Sequence, residues 1–139
     1  MNQYLITTIQ LAGLGQLVLV LASVAIPKCL QWNEGLAGLR PLLRQMFWTY
    51  ALYVTGVHIF AGVLSLFAAS ELLNGSFVST AVCVLMTVWW GARVMIQFFF
   101  FDNSDMPNTL FNKLAEIGLV MLFIFLTGVY TWAVVVNLN

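Results

Sequence analysis

Four long apolar segments joined by short polar connections constrain this chain more than any other feature of its sequence. Residues 4–26 and 46–69 carry no formal charge at all. Residues 76–101 are interrupted only by Arg93, and residues 114–136 only by Glu116 near their start. A helix needs about 20 mostly apolar residues to cross a hydrocarbon core about 30 Å thick, and each run meets that length. Inside hydrocarbon only helices and closed barrels satisfy their own backbone hydrogen bonds. The runs are too long and too uniformly apolar for alternating barrel strands of about ten residues. The expected fold is an all-α integral membrane protein, a single domain of four transmembrane helices in an up-down bundle.

Composition points the same way. Charged residues make up 7% of the 139 residues and apolar ones 62%, whereas a soluble domain carries about 25% charged residues. Lipid must therefore be the solvent for most of the chain. Formal net charge is zero, so the sequence offers neither a basic surface for nucleic acid nor an acidic tail. The first run has a loose cleavage-like stretch at Ala22-Ser23-Val24-Ala25. No positive charge precedes it and its apolar stretch is long for a signal peptide, so it reads as a retained span.

The punctuation between runs fits helices. Pro27 is expected to end the first, because proline cannot continue the hydrogen-bond ladder. Pro41 suits the first turn of the second, where a missing N–H costs nothing. Asn74-Gly75-Ser76 reads as a tight turn carrying a cap for the third. Asp105-Met106-Pro107-Asn108 breaks the chain before the fourth, with Asn108 or Thr109 as its cap. There is no internal repeat, low-complexity tract or linker to a second domain.

Charge gives a direction. Lys28, Arg40 and Arg44 flank the first connection, and Arg93 and Lys113 lie toward the third. All five basic residues then share one side of an up-down-up-down arrangement, and Glu71 is the one charged residue on the other. The positive-inside rule puts connections 27–45 and 102–113 in the cytoplasm and both termini on the non-cytoplasmic side of an inner (cytoplasmic) membrane. Aromatic residues gather where interfacial anchors belong: Trp32, Phe47, Trp48 and residues 98–101 at the inner boundary, Tyr4, Tyr130 and Trp132 at the outer. Segment 28–45 mixes charges with Leu36, Leu39, Leu42 and Leu43 and suits an interfacial helix or a docking element, although Gly35 and Gly38 disfavour helix.

Each helix has one small or polar face. In the second run Ala51, Thr55, His58, Gly62, Ser65 and Ala69 alternate by four and three residues, so they share one side. Small residues let helices approach closely in lipid, where packing drives association, so this stripe is a helix–helix contact within the bundle or with another chain. In the third run Ser79, Cys83, Thr87, Trp90, Arg93 and Gln97 fall within about 120° of one another at 100° per residue. Asn112, Glu116, Thr127, Tyr130 and Thr131 share a side of the fourth, and Ala12, Gly13, Gln16 and Ser23 supply that of the first. Polar faces turned inward give a four-helix bundle.

Three residues carry the candidate chemistry. Arg93 and Glu116 each lie roughly 11 Å from the inner end of their helix. A charge in a membrane helix usually faces the bundle interior with a partner, so an intramembrane ion pair is expected there. It either pins the last two helices or lines a polar site with Gln97, Tyr53 and Asn112. His58, the one histidine, lies near the bilayer midplane on the small-residue stripe. It either bonds across helices, to Thr87 or Gln16, or holds haem or a quinone, or titrates in a proton path. Haem held by two histidines needs a ligand beyond this chain, unless Met86 or Met95 serves. Cys29 and Cys83 form no metal or redox motif and are expected at different depths without a disulfide. The Asn74-Gly75-Ser76 sequon sits against the membrane, and no phosphate loop or catalytic triad is present.

The expected role is therefore a non-catalytic accessory or interaction subunit of a membrane complex, self-associated or bound to other membrane subunits. The two rivals are a haem- or quinone-binding redox module using His58, and a small oligomeric transporter or proton path using Arg93, Glu116 and His58.

Overall fold

The computed structural model describes residues 2–29, 31–100 and 109–139. Every element in it is helical: α1 (Asn2–Cys29), the short α2 (Trp32–Leu36), α3 (Pro41–Phe67), a 3₁₀ turn at Glu71–Leu73, α4 (Phe77–Phe99) and α5 (Leu110–Leu138). Four of these helices are long and apolar enough to span a membrane, as a multi-pass membrane protein requires. The chain break at Asp105-Met106-Pro107-Asn108 and Phe101 of the aromatic belt lie outside the described residues.

Helix ends and apolar runs do not coincide. Pro27 lies inside α1 rather than ending it, and the helix closes two residues later at Cys29. A proline disturbs the turn before it, and here that turn is almost the last, so little remains to break. Pro41 opens α3 at its first position, where its fixed φ suits helix and the absent N–H is unneeded. α3 is therefore about 40 Å long at 1.5 Å per residue, more than the hydrocarbon core. Its first turns extend into the segment that the apolar pattern reads as a connection. Trp32, Phe47 and Trp48 form a three-ring cluster with centroids 5.1 to 5.8 Å apart, which docks α2 on the start of α3.

Caps hold the other two starts. Ser76 Oγ accepts from the Ser79 N–H at 3.1 Å, and Thr109 Oγ1 accepts from the Asn112 N–H at 3.2 Å. Gly75 takes a φ of 75° in the turn before α4, a left-handed conformation that glycine enters without steric cost. Asn137 of α5 clasps this turn, donating to the Leu72 carbonyl at 2.7 Å and accepting from the Gly75 N–H at 3.1 Å.

Packing follows two hairpin pairs, α1 with α3 and α4 with α5, joined along a narrower seam between α1 and α5. The order around the bundle is α3, α1, α5, α4, and α3 and α4 make almost no close backbone approach. The bundle is thus open along one side. At the α1–α3 contact a Cβ on Gly13 would meet the Gly62 carbonyl oxygen at 2.7 Å and the Leu66 nitrogen at 2.8 Å, so only glycine permits this approach.

The core lies in one half of the length. Leu5, Ile9, Ala12, Gln16 and Leu19 of α1 meet Ala61 and Ser65 of α3, Cys83, Met86 and Trp90 of α4, and Phe123, Leu126, Tyr130 and Ala133 of α5. Most belong to the half nearer the two termini and the 68–76 turn, with Leu19 and Trp90 just past the middle of their helices. Within 41–60 of α3, 91–100 of α4 and 110–122 of α5, no residue is fully buried. The helices bury side chains fully at the terminal end and only partly toward the loop end.

Candidate functional site

The small-residue stripe divides where the bundle opens. Gly62, Ser65 and Ala69 are buried, and Ala51, Thr55 and His58 are half-buried. Thr55 returns its hydroxyl to its own helix at the Ala51 carbonyl. On α4 the arc behaves alike: Ser79, Cys83 and Trp90 are buried, while Thr87, Arg93 and Gln97 are half-buried.

His58 meets neither of the partners its helix position suggests. Gln16 turns to Tyr130 and Thr87 to the Cys83 carbonyl. Instead the Trp89 indole N–H donates to His58 Nε2 at 3.2 Å. Trp90 stacks against the imidazole with centroids 4.9 Å apart and planes at 24°. Consecutive residues on α4 point about 100° apart, so one tryptophan offers its N–H edge and the other its face. In a neutral ring, an accepting Nε2 places the proton on Nδ1. An iron at Nε2 would need Trp89 to move first.

From His58 a ladder of rings runs to the charges. Trp90 stacks on Phe123 of α5 at 5.5 Å and 18°. Arg93 lies with its guanidinium carbon 4.8 Å from the Phe123 centroid, a cation–π contact. Arg93 donates to Gln97 Oε1 at 3.2 Å, and Gln97 Nε2 donates to Glu116 Oε1 at 3.2 Å. Gln97 thus links the two charged side chains and ties α4 to α5. Of the other residues expected there, Asn112 is half-buried at the start of α5 and Tyr53 is exposed on α3.

The second polar centre is Tyr130, which the sequence offers both as an outer anchor and on the inward polar face of the fourth run. Tyr130 is not an interfacial anchor; its exposure is 0%. Its hydroxyl accepts from Gln16 Nε2 of α1 at 2.5 Å and shares a hydrogen bond with Ser65 Oγ of α3 at 2.5 Å. Three helices meet at one phenol. The available signal was its place on the same side of α5 as Thr127, which outweighs an aromatic residue's general preference for the interface. Among the described residues, Gln16 Oε1 and Trp90 Nε1 are the buried side-chain polar atoms without a hydrogen-bond partner.

Between α3 and α4 lies a half-open groove of about 450 Å³, lined by Tyr53, Gly56, Phe60, Ala61, Val82, Leu85 and Met86, among others. Ser65 and Tyr130 reach its back wall, and Leu72 of the 3₁₀ turn also lines it. Its volume is within the range of ligand pockets, about 300–1,000 Å³.

Compared with known proteins, the chain matches no family model, no curated relative and no solved structure.

No group of three His, Cys, Asp or Glu side chains among the described residues is placed to hold a metal ion. His58 is engaged by two indoles, and the Cys83 thiol is buried and donates toward the Leu72 carbonyl at 3.6 Å. The described polar groups join helices: α3 to α4 at His58, α4 to α5 at Gln97, and α1, α3 and α5 at Tyr130.

Proposed function

We propose that this chain is a non-catalytic accessory subunit that binds other membrane subunits through the loop-end half of its bundle. The observation that carries the reading is the loss of all full burial in that half, at positions 41–60, 91–100 and 110–122. Arg93, Gln97 and Glu116 lie there only half-covered. Charged side chains at membrane depth usually face protein or a water-filled space rather than lipid. A neighbouring subunit seated at this end covers the network and supplies the packing that the chain lacks. α2 and its aromatic cluster extend the same surface at the loop end. In this reading the basic residues face the cytoplasm, both termini lie on the non-cytoplasmic side, and the membrane is the inner one.

The test is native mass spectrometry of the protein carried from its own membrane into lipid nanodiscs. A mass equal to this chain plus a whole number of defined subunits is expected, whether copies or other proteins. A monomer under every mild extraction condition would overturn the proposal.

A further inference from the structure

Asn74-Gly75 is the one Asn–Gly pair in the sequence, and it lies exposed in the turn between the 3₁₀ segment and α4. Such a pair has a chemistry of its own. Glycine has no side chain to shield its backbone nitrogen, which can attack the side-chain amide carbon of the asparagine before it. The bond from the Gly75 nitrogen to Asn74 Cγ forms and the bond from Cγ to Nδ2 breaks. Ammonia leaves, carrying away the proton of the Gly75 nitrogen. Water then opens the cyclic imide at one of its two carbonyls, leaving aspartate or isoaspartate. The balance is one water consumed and one ammonia released.

The structure holds both reacting groups out of position. The Gly75 N–H donates to Asn137 Oδ1 of α5 at 3.1 Å, and Asn137 is itself set by donating to the Leu72 carbonyl at 2.7 Å. Asn74 Oδ1 accepts from the Ser76 N–H at 2.9 Å, a local side-chain bond of the kind that asparagine makes in turns. Asn74 takes a φ of −80° and a ψ of 0°. At that ψ the Gly75 nitrogen is eclipsed with the Asn74 nitrogen, whereas closing the imide needs it eclipsed with Cβ. The peptide must therefore rotate, and the rotation takes Gly75 away from Asn137.

We propose that Asn74 is a deamidation site kept dormant by Asn137, so that release of the end of α5 exposes it to reaction. The product makes that release permanent. Asn74 Nδ2 donates to Glu71 Oε2 at 3.4 Å, and deamidation replaces this donor with a second carboxylate beside the first. Isoaspartate also lengthens the backbone by one carbon ahead of Gly75. Either product loosens the turn that Asn137 clasps.

The test incubates the purified full chain in detergent at mildly alkaline pH, where the attacking nitrogen gives up its proton more readily. Peptide mass spectrometry follows the conversion of Asn74 in the wild type, in Asn137→Ala and in a free peptide of residues 70–78. Asn74 should react more slowly in the wild type than in the peptide. Asn137→Ala should raise its rate toward that of the peptide by about tenfold, the scale of one hydrogen bond, while the other asparagines keep their rates. A wild-type rate equal to the peptide's would overturn the proposal, and so would an unchanged rate in Asn137→Ala. A rise at every asparagine together would trace the effect to unfolding and overturn it as well.

Discussion

The Trp89 indole donates to His58 Nε2 across 3.2 Å, joining the two helices that otherwise diverge. α3 and α4 are consecutive long helices, yet each packs on another partner, α1 and α5 respectively. The histidine therefore acts as a latch at the edge of the cleft, held by one tryptophan edge and one tryptophan face.

Replacing Trp89 with Phe keeps an aromatic ring and removes the donor. The expected loss is about 0.6–2 kcal/mol, the range for interhelical hydrogen bonds in membranes. His58→Leu should cost a similar amount, and the double variant little more than either alone. Unfolding equilibria of the four proteins in mixed micelles measure this. Strictly additive losses would show that the two side chains do not act together.

Gly13→Ala and Gly128→Ala should differ sharply. The first puts a Cβ at 2.7 Å from the Gly62 carbonyl oxygen, whereas the second meets nothing within 4 Å. Backbone cannot yield as a side chain end can, so α1 and α3 must separate, at a cost of about 1–3 kcal/mol. Gly128→Ala should be neutral or stabilising by up to about 1 kcal/mol. Thermal unfolding of the purified variants checks both.

Tyr130→Phe removes one oxygen and strands two buried partners, Gln16 and Ser65. Leaving a buried polar group unsatisfied costs about 1–3 kcal/mol. Ser65→Ala strands none of them completely, since Tyr130 retains Gln16. The tyrosine variant should therefore melt at a lower temperature than the serine variant. The opposite order would place the hub elsewhere.

Arg93→Leu leaves Glu116 charged and Gln97 without the donor to its carbonyl oxygen. Pairing it with Glu116→Gln removes the second charge of the network as well. The double variant should recover stability relative to Arg93→Leu alone, because breaking one side of a half-buried charged network is worse than replacing both. A double variant less stable than the single would show that Glu116 is stabilised by something other than Arg93.

The number and length of the long helices are legible in the sequence because each depends on local composition. Pro41, Ser76 and Thr109 mark helix starts through backbone chemistry that a single residue controls. The shared faces are legible too, since Gly62 and Ser65, or Cys83 and Trp90, follow helical periodicity. What periodicity does not fix is the neighbour that each face meets. His58 and Thr87 both lie on inward faces, and nothing in their spacing says that Trp89, from the flank of its arc, would take the imidazole. Tyr130 has the composition of an anchor and the location of a core residue, and only tertiary packing separates the two. The open side between α3 and α4 is a property of helix order around the bundle, which short connections leave undetermined.

On the proposed reading, another membrane subunit covers the loop-end half of this bundle. A photoactivatable amino acid placed singly along α3 in native membranes tests it most directly. Positions Tyr50, Val54 and Val57 should yield discrete protein–protein cross-links, while Val63 and Phe67, beside the packed half, should yield none. Cross-links to lipid alone at every position would overturn the partner-subunit reading.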